Sequence, residues 1–86
     1  MFIKNEDYII REENEFYLAY NYIAHTYYQL NEIAIIVISE AAKYCTIDEI
    51  VDGVCARTGD DPNKAKNEIV QGLLQLVEIG ILQYDE

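Results

Sequence analysis

The sequence predicts an α+β chain: a three-stranded antiparallel sheet at about residues 7–30, followed by three helices at about 31–43, 46–58 and 61–79. Three observations carry this reading. Residues 15–22 alternate along the chain, with Phe16, Leu18, Tyr20 and Tyr22 on one parity and Glu15, Tyr17, Ala19 and Asn21 on the other. A period of two marks a strand with one buried face. Thr46-Ile47-Asp48-Glu49 has the spacing of a capping box that opens a helix. Asp61-Pro62 and Gly80 then bracket a long run at helical period, with proline where a first turn accepts it and glycine where a helix stops.

The elements follow in chain order. Tyr8-Ile9-Ile10-Arg11 is a shorter strand candidate, joined to the alternating strand through Glu12-Glu13-Asn14, where Asn14 suits the left-handed conformation of a tight hairpin. His25-Thr26-Tyr27-Tyr28-Gln29-Leu30 is aromatic and polar enough for a third strand, and the short connections suggest a meander. Asn31 is a good N-cap, and Leu30 can pack on Ile35 as a hydrophobic staple. The run Ile33-Ala34-Ile35-Ile36-Val37-Ile38 is β-branched enough for a strand. The cap and the continuation Ser39-Glu40-Ala41-Ala42-Lys43 favour a helix, apolar nearly all round and therefore central. In the second helix Ile47, Ile50, Val51 and Val54 form the buried stripe, Cys45 against Ile50 would staple its start, and Gly59 ends it. Past Gly80, Ile81 can fold back onto Leu76, and Ile81–Tyr84 adds a short extended piece. Strands followed by three short-linked helices make a winged helix-turn-helix-like order, read as one domain over 1–86.

Composition narrows the function. Hydrophobic residues are 51% of the chain, enough for a core and outside the range of disordered sequences. The formal net charge is −10, with only six Lys and Arg. Binding nucleic acid requires cations that displace counterions, so the charge argues against a nucleic-acid partner, and it also opposes an anionic membrane surface. Met1–Asp7 turns acidic before any apolar run develops, which argues against a secretory signal, and the chain reads as cytoplasmic. Cys45 and Cys55 lack the neighbours a zinc site needs, and the sole histidine, His25, lies in another segment. Two buried free thiols are expected, with no metal and no cofactor. No nucleophile motif or phosphate loop stands out, so no catalytic residue is assigned.

Two features bear on binding. On the third helix Ile69, Leu73 and Leu76 centre the core face, and Val70, Leu74 and Val77 widen the apolar arc to about 200°, against somewhat more than ~100° for an ordinary core stripe. Another helix or the tail could cover that width; otherwise it opens on a groove for a partner. In a meander the third strand is an edge, and Thr26-Tyr27-Tyr28-Gln29 carries none of the charges or prolines that usually guard one. An unguarded edge beside a wide apolar helix is what strand-addition binding needs.

Leu30-Asn31 leading into an apolar helix with Ala34, then Thr46-Ile47-Asp48-Glu49-Ile50, then Leu73-Leu74-Gln75-Leu76 to Gly80-Ile81-Leu82, resembles the pyrroloquinoline quinone biosynthesis protein D (PqqD) family, from about Tyr8 to Leu82. The resemblance implies a recognition element for ribosomally made, post-translationally modified peptides. Such an element binds the leader of a precursor peptide as an added strand between the third strand and the third helix. It then presents the peptide to a modifying enzyme, often a radical S-adenosylmethionine protein with iron–sulfur clusters. By position, the strand's share falls on Thr26, Tyr27, Tyr28 and Gln29, and the helix's share on Lys66, Val70, Leu73, Leu74 and Val77. Two positions depart from the family pattern: Ile33 replaces a small or hydroxyl residue, and Ala42-Lys43-Tyr44-Cys45 replaces a glycine-containing stretch, so the first helix is expected to run through Lys43. The alternative is an acidic winged-helix interaction module that dimerises, even weakly, through the same edge. DNA binding is disfavoured because Lys64 and Lys66 share their helix with Glu68 and Glu78.

Overall fold

A computed structural model describes residues 2–84, so the ends of the expected 1–86 span lie outside the described residues. Three strands, β2 (Tyr8–Glu12), β3 (Tyr17–Asn21) and β4 (Thr26–Leu30), form the antiparallel meander in the order β2-β3-β4. Ala19 pairs with Ile10 on one side and Tyr28 on the other, and Tyr17 pairs with Leu30. Directly paired residues share a face, so Tyr8, Ile10, Tyr17, Ala19, Tyr28 and Leu30 point to the core. Of the two parities in β3, the inner one is that of Tyr17 and Ala19, and Ala19 is fully buried. Leu18 and Tyr20 stay half-buried on the outer face. A small residue is needed there because Ile10 and Tyr28 flank it.

The hairpin turns divide their labour differently from expectation. Asn14 is not left-handed: four residues, 13–16, close the first turn through a Glu13 N–H to Phe16 carbonyl bond of 2.9 Å, and that length needs no positive φ. Among the described residues the one non-glycine with positive φ is His25, at 58°, which closes the turn into β4. Asn21 steadies that turn by accepting from the N–H groups of Ile23 and Ala24 at 3.0 and 2.9 Å.

The three helices are α1 (Glu32–Ala41), α2 (Ile47–Thr58) and α3 (Pro62–Glu78). Each starts on its expected cap: Asn31, Thr46 and Asp61 accept from the N–H groups of Ala34, Glu49 and Asn63. In the α2 box the Glu49 carboxylate takes the Thr46 hydroxyl at 2.9 Å. The α1 helix stops at Ala41, two residues short of Lys43, because the chain tightens there into a Lys43 N–H to Glu40 carbonyl bond of 3.0 Å. Gly59 (φ 82°) and Gly80 (φ 88°) supply the left-handed stops of α2 and α3. After α3, the Gly80 N–H reaches the Val77 carbonyl and the Ile81 N–H the Leu76 carbonyl, which folds Ile81 into the core.

A second, two-stranded ribbon joins β1 (Phe2–Lys4) to β5 (Leu82–Tyr84), with Phe2 opposite Tyr84. The sequence predicts the extended tail but not β1, whose three residues carry no pattern apart from their partner at the far end of the chain. Asn5 extends the ribbon: its N–H reaches the Ile81 carbonyl at 2.8 Å and its side-chain amide the Gly80 carbonyl at 3.1 Å. Residues 2–5 and 81–84 thereby hold the C-terminus of α3.

Val37, Ile50, Val54, Leu73, Ile81 and Leu82 lie at the centre of the core. Glu40 is the one charged residue buried with them among the described residues, and its carboxylate meets Arg57 of α2 at 3.3 Å and Lys43 at 3.4 Å. Cys55 is buried as expected, whereas Cys45 is exposed. Cys45 sits in the connection just ahead of the Thr46 cap and has no helix face to turn inward.

Candidate functional site

The outer edge of β4 pairs with no strand among the described residues. Alternate residues of an edge strand aim their N–H and C=O groups outward, and Thr26–Gln29 are all exposed. Beside this edge lies a cleft of about 480 Å³. Tyr28, Gln29, Leu30 and Asn31 form one wall, the first turns of α1 (Ile33, Ala34, Val37) form the floor, and α3 forms the far wall. The Asn31 cap makes this geometry, because it turns the chain from strand to helix within one residue and sets the floor at the strand's end.

The far wall consists of Glu68, Ile69, Gly72, Gln75 and Leu76 of α3 and of Ile79 at its C-cap. These residues recur at three- and four-residue steps and so share one flank of the helix. Lys66, Val70, Leu73, Leu74 and Val77, the helix residues expected from sequence, do not line the cleft. Leu73 is buried in the core, and Val70 and Val77 pack half-buried against it. Leu74 is 52% exposed, and Lys66 pairs with Asp48 of α2 at 3.0 Å. At about 100° per residue the expected arc and the cleft wall lie on opposite flanks of the Ile69–Leu73–Leu76 stripe. The wide apolar arc is partly covered by packing, at Val70 and Val77, and exposed at Leu74. The open flank reads as polar in the sequence because its apolar members are interleaved with Glu68, Gly72 and Gln75.

Gly72, like Glu68, Gln75 and Ile79, lines this flank and is not among the helix residues expected from sequence. Glycine inside an α-helix costs roughly 0.5–1 kcal/mol relative to alanine. Close packing does not require it here, since a Cβ at position 72 would meet nothing within 4 Å. Its effect is to lower the α3 wall midway along the cleft. The signal was available in the sequence as a glycine in the middle of a strong helical period.

The cleft offers apolar surface, amide groups and one carboxylate. Among the described residues no group of three or more His, Cys, Asp or Glu side chains could hold a metal ion. No helix among them is long and apolar enough to cross a membrane. The arrangement suits an extended peptide, with main-chain pairing along β4 and side chains entering the cleft on alternate positions.

A family model described as coenzyme PQQ synthesis protein D matches residues 12–82. No curated protein matches the chain. Among solved structures, one described as TbiB1 in complex with the TbiA(beta) leader peptide has a TM-score of 0.74 at 18% identity, covering 98% of this chain and 99% of that one. Another, described as lasso peptide synthetase B1 complexed with the leader peptide, has a TM-score of 0.77 at 13% identity, covering 96% and 98%. At these identities the likeness is one of fold.

Proposed function

Because the chain belongs to the coenzyme PQQ synthesis protein D family, we propose that it is a non-catalytic recognition element for the leader segment of a ribosomally synthesised precursor peptide. The leader adds a strand along Thr26–Gln29 and drops alternate side chains into the cleft against α3. The chain then presents the precursor to a modifying enzyme, which by the family resemblance is a radical S-adenosylmethionine protein. The observation that carries this reading is an unpaired, uncharged strand edge opening directly beside an apolar-walled cleft. The two similar folds described as leader-peptide complexes support the choice of occupant.

Magnitudes show why both features are needed. Ordering five residues of a flexible peptide costs about 1–2 kcal/mol each. Four or five main-chain hydrogen bonds return roughly 0.5–1.5 kcal/mol each, which does not by itself outweigh that cost. Two apolar side chains buried in the cleft add about 1.5–3 kcal/mol each, so the strand edge and the cleft must act together to tip the balance toward binding.

The test is a titration of the labelled protein with synthetic leader segments of ribosomally made precursor peptides, read by amide NMR and hydrogen exchange. Amides of residues 26–30 should shift and gain protection. Binding without any change there would overturn strand addition at β4, and absence of binding would overturn the function. Self-association through the same edge is the competing use, and light scattering separates the two: a dimer built on that edge would persist when the leader is added.

A further inference from the structure

We infer that the cleft selects a leader segment carrying a lysine or arginine, held against Glu68 at one end of an otherwise uncharged groove. This rests on the peptide-binding reading above and names the chemistry of the peptide it would take.

Among the described residues Glu68 is the only charged one lining the cleft. Among the described residues it enters no ion pair, even with Lys64 one turn earlier on α3. Lys66, on the same helix, is committed to Asp48. A second carboxylate, Glu15, lines a smaller neighbouring hollow on the other side of Gln29, Leu30 and Asn31, which line both. The Glu68 and Glu15 side chains are exposed in the free protein, so pairing with a cation demands little desolvation beforehand. The net charge of −10 adds a long-range bias, favouring encounter with basic peptides and opposing acidic ones.

Geometry also sets the pattern. From Glu68 to Ile79 the helix wall spans about 16 Å, the length of roughly five residues of extended chain. Glu68 stands at one end of that span, Ile69 and Leu76 lie along it, and Ile79 closes the other end. Alternate side chains of an added strand enter the cleft. The basic residue is therefore spaced by an even number of positions from apolar residues that fill the remainder.

A phage-displayed pool of random dodecapeptides, panned on the intact protein, tests this without knowledge of the natural leader. The recovered peptides are then measured against Glu68→Gln, Glu68→Lys and Gly72→Trp, each checked for folding by circular dichroism. Peptides that lose binding to Gly72→Trp should carry Lys or Arg at a constant even spacing from apolar residues. They should weaken about tenfold on Glu68→Gln, and panning on Glu68→Lys should enrich Asp or Glu at the same position. Cleft-dependent peptides with no basic residue enriched, or with equal affinity for all Glu68 variants, would overturn the selectivity and leave the binding reading standing. Failure to recover any peptide sensitive to Gly72→Trp would overturn the binding reading, and the selectivity with it.

Discussion

The hydroxyl of Tyr8 donates to the main-chain carbonyl of Ile79 at 3.1 Å, while its ring lies 6.3 Å from that of Tyr28 at a 40° tilt. Tyr28 and Ile79 line opposite walls of the cleft. One buried side chain on β2 thus braces β4 and at the same time satisfies a carbonyl that the end of α3 leaves unpaired. Tyr8→Phe should lower stability by about 1 kcal/mol, seen as a lower urea midpoint with an unchanged slope. Leader affinity should fall with it; full affinity in the variant would mean the cleft does not depend on this brace.

Two helical glycines should respond to alanine with opposite signs. Gly72→Ala should stabilise by about 0.5–1 kcal/mol, since the new methyl meets nothing and the helix gains. At Gly53 a Cβ would stand 2.8 Å from both the Glu40 carboxylate and the Tyr44 ring. Glu40 is buried and held by two cations, so it cannot simply swing away. Overpacking there should cost roughly 1–3 kcal/mol and outweigh the helix gain. Thermal melts of the two variants that move in the same direction would contradict this.

The Glu40–Arg57 pair joins α1 to α2 from a carboxylate whose side chain is only 4% exposed. Arg57→Ala should destabilise by leaving that carboxylate with Lys43 alone. A double-mutant cycle of Glu40→Gln with Arg57→Ala should show a coupling of about 0.5–3 kcal/mol. Additive effects in chemical denaturation would mean the contact contributes nothing to the fold.

Burial pushes the Cys55 thiol above its ordinary value of 9.0, and Asp60, Asp52 and Asp61 push the same way. The folded protein therefore keeps a proton that the unfolded chain releases. This group's contribution is whole below the unfolded thiol value and is lost as pH rises through it toward the folded one. Between neutral pH and values above 9.0, the wild type should lose more stability than Cys55→Ala. In native protein iodoacetamide should modify exposed Cys45 well ahead of Cys55, and equal rates by mass spectrometry would contradict the buried placement.

The two flanks of α3 can be told apart by one pair of variants. Gly72→Trp fills the open space at the cleft wall and should abolish leader binding without unfolding the chain. Leu74→Asp, on the exposed opposite flank, should leave affinity within about twofold. The reverse result by calorimetry would place the peptide on the flank of Val70, Leu74 and Val77.

Much of this fold is written locally. Asn31, Thr46 and Asp61 cap helices with their own side chains, and Gly59 and Gly80 stop them through a conformation few other residues adopt. These signals act over three or four residues and need no tertiary context. The unguarded edge at Thr26–Gln29 was legible for a related reason: strand order followed chain order through short turns.

What the sequence by itself determined is therefore the order of strands and helices, their caps, and the chemical character of the exposed edge. Tertiary structure decided which flank of α3 stays open. A wide apolar arc says only that surface must be buried, and in the folded protein Val70 and Val77 pack half-buried against the core. The open flank carries Glu68, Gly72 and Gln75, which no hydrophobic period reveals. Likewise, Phe2–Lys4 is a strand only by virtue of its pairing with Leu82–Tyr84. Burial and strand pairing are properties of two surfaces together, and a linear pattern describes only one of them.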